Sequence, residues 1–187
     1  MKRLYWPLLA LVFPLLGSPS ADYLSAKQKF ALIESEKLRP GSRVNLTAGE
    51  LTAYVANESA NYAPQGFRDP KLELSEGRAI GTALVDFVKL RRAAGKPPGW
   101  LMTKLLSGER PIRVTTRIDS RAGTATVNVE SVEISGFVID GAMLDYLIDH
   151  YLIPQFPDAK VGEPFQLSHR IDRLEVKPSV VGIVLGK

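Results

Sequence analysis

Cysteine is absent from all 187 residues, which excludes disulfides and a lipid-modified cysteine anchor. Histidine is nearly as scarce, represented by His150 and His169 alone. No HExxH, no GxSxG and no spacing of metal ligands occurs, so the sequence offers no metal or cofactor site and no catalytic constellation. A dominant charge of one sign is lacking too. The chain has 24 Lys and Arg against 20 Asp and Glu, and setting aside Lys2 and Arg3 of the leader leaves 22 against 20. That near balance removes the electrostatic case for a nucleic-acid partner. The apolar run from Leu4 to Leu16 is short of the roughly 20 residues needed to cross a bilayer and is broken by Pro7 and Pro14.

What is present begins with that run. Lys2 and Arg3, the apolar stretch and the small residues after it have the layout of a secretory signal, with cleavage expected near Ser20 or Ala21. The chain therefore divides into a signal peptide at 1–21, an N-terminal helix at 22–41 and a single α+β domain at 42–187. An exported domain without disulfides has only its core to hold it, which points to a bacterial periplasm or envelope. An apolar fraction of 45% over this length is enough for one sizeable core.

The helices come from their start signals. Residues 25–38 read as a peripheral helix, with Ser25 and Gln28 at capping-box spacing and Pro40-Gly41 as the stop. In "LTAGELTAYVANES", residues 46–59, Thr47 and Glu50 form a capping box while Leu46 and Leu51 stand at staple positions. Leu51, Tyr54 and Val55 form its apolar face, and alanines keep the helix slim. Residues 139–157 read as another helix, capped by Asp140, with Leu144, Leu147, Ile148, Tyr151 and Leu152 on a wide apolar face.

The strands read as three hairpins. Residues 70–90 turn at Glu76-Gly77 and return from Ile80 to Val88; residues 110–136 turn between Ser120 and Gly123. Residues 163–185 form the third, with Lys177 and Pro178 protecting an exposed edge. The apolar parity changes near Ser131 and again between Ile171 and Leu174. A one-residue change of phase marks a β-bulge, and bulges curl sheets. The expected fold class is thus α+β: a strongly curved antiparallel sheet of long hairpins wrapped around one or two helices.

This order of elements, with "LTAGELTAYVANE" ahead of the first hairpin and "ISGFVIDGAMLDYLIDHYLIPQFP" before the last, resembles the tubular lipid-binding superfamily in its short bacterial envelope form. The likeness spans about residues 43–185. It implies an apolar groove that holds or passes a lipid or other apolar small molecule, without catalysis. The residues expected to line it are Leu84, Trp100, Leu101, Leu105, Leu144, Leu147, Ile148 and Tyr151. Residues 91–110 combine Trp100 and leucines with basic flanks, which suits contact with an anionic membrane surface, although a plug at one end of the sheet with solvated charges is the preferred reading. Ala79, Gly81 and Ala83 put small side chains on one strand face, as a groove floor or as a seat for a helix. Two rival classes remain: an envelope module binding protein or peptidoglycan, and a carboxylate-dependent hydrolase built on Asp86, which lies inside an apolar run and needs a partner.

Overall fold

The computed structural model describes residues 20–62, 66–93, 95, 98–100, 103–104, 107–149 and 160–187. Residues 1–19 of the signal peptide expected at 1–21 lie outside the described residues. The chain folds as α+β with antiparallel sheets, as its hairpin pattern indicates, but there are two sheets and not one. Strands β1 (Arg43–Thr47), β8 (Ile171–Lys177) and β9 (Val180–Leu185) pair with β9 in the middle. The larger sheet contains β2 (Phe67–Ser75), β3 (Arg78–Val85), β4 (Arg110–Arg121), β5 (Thr124–Ile134) and β6 (Phe137–Ile139) in chain order. Its sixth strand, β7 (Pro164–Gln166), pairs with the opposite end of β5, so Phe165 belongs to this sheet and not to the last hairpin. Four helices are described: α1 (Ala21–Glu34), α2 (Ala48–Tyr62), α3 (Phe87–Ala93) and α4 (Gly141–Leu147).

The best-buried core belongs to the smaller sheet. Val44 and Leu46 of β1 and Ile183 and Leu185 of β9 pack against Ala26 and Ile33 of α1. Helix α1 is therefore central, not peripheral. Its apolar residues hide this role because they are scattered around the helix, with Leu24 and Leu32 facing outward. It also starts earlier than the capping-box spacing indicates. Ser20 is the N-cap, its hydroxyl accepting the Tyr23 N–H at 3.2 Å. Ser25, one turn inside, donates its hydroxyl to Glu50 instead.

The capping box of α2 forms as the sequence requires. The Glu50 N–H donates to Thr47 Oγ1 at 3.1 Å, and Glu50 Oε2 accepts the Thr47 N–H at 2.8 Å. Glu50 is only 6% exposed, and its second oxygen accepts from Ser25 Oγ and Lys29 Nζ, each at 2.5 Å. One carboxylate thus caps α2 and pins α1 to it. Burial alone would raise its pKa, but the bonds from Lys29, Ser25 and Thr47 outweigh that and lower it to about 2. Leu51 and Tyr54 pack on the core, with the Tyr54 ring 4.6 Å from that of Phe30. Val55, expected on the same face, is 42% exposed.

Both parity breaks are bulges. Thr115 pairs with Ser131 and Thr116 with Val129, leaving Glu130 as the extra residue of β5. Ile171 pairs with Leu185 and Arg173 with Val184, leaving Asp172 extra. A third bulge, at Asp69-Pro70 opposite Ala83, escapes the parity test because charged residues surround it. The bulged Glu130 accepts from Arg78 Nε at 2.8 Å and Arg117 Nε at 2.9 Å, so cross-strand ion pairs brace the bend. The first hairpin also ends sooner than expected: β3 stops at Val85 and α3 begins at Phe87.

Strand β8 joins the two sheets. Its outward edge crosses the hairpin tips of the larger sheet, where the Gly123 N–H donates to the Asp172 carbonyl at 2.7 Å and the Gly77 N–H to the Val176 carbonyl at 3.0 Å. Between them, Ser120 Oγ accepts the Leu174 N–H at 2.6 Å and donates to the Leu174 carbonyl at 2.9 Å, as a neighbouring strand would. The edge is protected by these turns. Lys177 and Pro178, expected to guard it, stand at the tip of the β8–β9 hairpin.

Two outcomes follow from these contacts. Replacing Ser120 with Ala leaves both Leu174 backbone groups without their partner and should lower stability by about 1–3 kcal/mol in urea titrations. Glu50→Gln should cost about 2 kcal/mol at neutral pH. Because the folded pKa of Glu50 is depressed, that stabilisation is complete above the ordinary value of 4.5 and is lost as pH falls toward about 2. Urea midpoints of wild type and Glu50→Gln should therefore converge over this window.

Candidate functional site

Register sorts the larger sheet into two chemically distinct faces. Leu72 and Leu74 pair with Gly81 and Ala79, which pair in turn with Val114 and Thr116. Those two oppose Val132 and Val129 of β5. Ile112, Ile118, Ala125, Val127 and Ile134 extend the same face, and Phe165 of β7 joins it opposite Ala125. The reverse face carries Lys71, Glu73, Arg78, Arg113, Arg117, Asn128 and Glu133, with Ile80 and Leu84 among them. Without the bulge at Glu130, Val132 and Ile134 would point to the polar side. The bulge is what makes the apolar face continuous along β5.

This face is only partly covered. Ala83, Val85 and Ala125 are buried, whereas Leu72, Leu74, Ile112, Val114, Ile118, Val127, Val129, Val132 and Ile134 all keep intermediate exposure. Ala79, Gly81 and Ala83 form a shallow lane between the larger side chains of β2 and β4. Helix α2 lies along β2, where Thr52 Oγ1 accepts the Leu72 N–H at 2.9 Å, and so occupies the edge of the sheet.

Of the residues expected to line a groove, the side chains of Leu84, Trp100, Leu144 and Ile148 are described. Leu144 is buried on α4, which contacts β5, and Ile148 is partly buried just beyond the helix. Asp140 stands at the N-cap of α4, but its side chain makes no capping bond. Trp100 is 77% exposed. Leu84 lies on the polar face, where with Thr82, Pro111 and Arg113 it lines an open depression of about 470 Å³. Leu101, Leu105, Tyr151 and the side chain of Leu147 lie outside the described residues. The strand residues of the apolar face are the larger surface. Their period-two alternation is plain in the sequence, but which strands adjoin, and how much of the face is covered, is not.

Asp86 has a structural part. It is 5% exposed, and its Oδ1 accepts the Lys89 N–H at 3.0 Å while its carbonyl accepts the Leu90 N–H at 3.0 Å, which caps α3. Lys89 Nζ, 3.5 Å from Oδ2, is the charge partner that its burial requires. Gly66, at φ +96°, accepts the Asp86 N–H so closely that a β-carbon there would stand 2.8 Å from the Asp86 carbonyl oxygen. His169 is exposed in a turn, its Nδ1 3.5 Å from Glu36, and His150 lies outside the described residues. Among the described residues no three His, Asp or Glu side chains gather as a metal-ligand set, and no helix is long and apolar enough to cross a membrane.

No family model matches the chain, and no curated protein matches it significantly.

If Asp86 is a cap, Asp86→Ala should destabilise the fold by about 1–2 kcal/mol, and Asp86→Asn, which retains an acceptor for the Lys89 N–H, by clearly less. Thermal unfolding of the two variants measures the difference; equal losses would assign the effect to the ion pair with Lys89.

Proposed function

We propose that the protein is a non-catalytic carrier or binder of a lipid or similar apolar ligand, held against the apolar face of the six-stranded sheet. One observation carries this reading: the alternation is apolar across β2, β3, β4 and β5, yet most of those side chains are only partly buried. A partly uncovered apolar surface of this kind favours an apolar occupant. Each methylene an acyl chain buries there contributes about 0.8 kcal/mol, so about ten offset much of the cost of holding the chain. The buried carboxylates Glu50 and Asp86 are engaged as helix caps, which supports binding over hydrolysis. An exported protein of the bacterial envelope, with the likeness to tubular lipid-binding proteins drawn from its order of elements, belongs to the same proposal.

The test is native mass spectrometry with organic extraction, on protein exported with its own leader and purified without detergent. A co-purifying phospholipid or fatty acyl species is expected. Val114→Asp should empty the protein, whereas Thr115→Asp, the next residue but on the opposite face, should leave it loaded. A clean apo mass that takes up nothing from added vesicles would reverse the reading in favour of a partner-binding role.

A further inference from the structure

The polar face of the larger sheet divides into a neutralised half and an open one. Around the bulge, Glu130 pairs with both Arg78 and Arg117, at 2.8 and 2.9 Å, so these charges satisfy one another. Toward the Val85 end of β3, the register sets Lys71, Thr82, Arg113 and Glu133 in one cross-strand row on this face, one residue from each of β2 to β5. Here the charges are not used up. Arg113 and Glu133 are direct cross-strand neighbours, yet the ion pair that Arg113 makes is a long one with Glu73, at 3.5 Å. Among the described residues, the Lys71 ammonium, the Thr82 hydroxyl and the Glu133 carboxylate take part in no side-chain hydrogen bond or ion pair.

The shape follows from side-chain size. Adjacent strands lie about 4.8 Å apart, so the Lys71 and Arg113 backbones are separated by about 10 Å, with the short Thr82 between them. Leu84 and Pro111, paired one same-face step further along, give the dip an apolar floor. This is the open depression of about 470 Å³, and Asp69 and Glu133 join its lining from the β2 and β5 sides. Asp69 is paired with Arg68 at 3.1 Å, which leaves Glu133 as the free carboxylate.

That charge pattern selects the ligand. An anion alone would meet Glu133, and a cation alone would meet Lys71 and Arg113, each a like-charge contact. A molecule carrying both charges matches the whole row. We propose that the depression binds a small zwitterion, its phosphodiester or carboxylate oxygens accepting from Lys71, Thr82 and Arg113, its ammonium donating to Glu133, and its linking carbons lying on Leu84 and Pro111. The phosphoethanolamine headgroup of a lipid and a free small zwitterion share this chemistry. The site is on the face opposite the apolar surface, so the inference goes beyond the carrier reading and stands without it.

The test is isothermal titration calorimetry of the purified full chain with glycerophosphoethanolamine, and with glycerol 3-phosphate and ethanolamine as its separate halves. Glycerophosphoethanolamine should bind, and each half should bind about tenfold more weakly or not at all. Lys71→Gln should weaken glycerophosphoethanolamine and glycerol 3-phosphate alike, whereas Glu133→Gln should weaken only the former, both with unchanged circular dichroism. Val114→Asp, on the other face, should leave this binding intact even where it empties the protein of lipid. Competition by vesicles containing phosphatidylethanolamine assigns the site to a lipid headgroup, and its absence to a free zwitterion. No heat with glycerophosphoethanolamine, equal affinity for glycerol 3-phosphate, or a folded Lys71→Gln/Glu133→Gln variant that binds as wild type does overturns the proposal.

Discussion

The outward edge of β8 is the constraint on which the two-sheet arrangement depends. A bare edge presents a row of N–H and C=O groups that must find partners. Here they are met by the Gly77 and Gly123 amides and by both functions of the Ser120 hydroxyl. The bonds come from hairpin tips, not from a strand running alongside, so β8 crosses the end of the larger sheet without extending it.

Stability and surface are thereby separated within one chain. The smaller sheet, α1 and the start of α2 hold the tightest packing, and Glu50 locks the two helices at their junction. The larger sheet is held by long ladders, by ion pairs on its polar face and by helix α2 along β2. Its apolar side chains contribute less than full burial would allow. At about 25 cal/mol per Å² of apolar surface, the area left accessible is free energy that folding does not collect and that a ligand can.

Much of the local structure was legible in the sequence because its causes are local. The Thr47–Glu50 capping box needs only residues three apart, and the hairpin turns at Glu76-Gly77 and Ala122-Gly123 are each marked by a glycine that takes positive φ. The bulges at Glu130 and Asp172 showed as changes of parity, since a residue inserted into one strand moves every later side chain to the other face. The central place of α1 was not legible. Its buried residues Ala26 and Ile33 share a face with Phe30, but the exposed Leu24 and Leu32 blur that stripe. The candidate site was legible only as alternation along the strands.

The sequence by itself determined the turns at Glu76-Gly77 and Ala122-Gly123, the bulges at Glu130 and Asp172 and the alternation of side chains along the long strands, because each of these follows from the geometry of a few neighbouring residues. Tertiary structure alone decided that the strands divide into two sheets, that β7 leaves the last hairpin to pair with β5, and that Ser25 binds Glu50 instead of capping its own helix. These outcomes depend on pairings between distant parts of the chain. Their bonds and burial are set by what the fold brings alongside, and no local period records that.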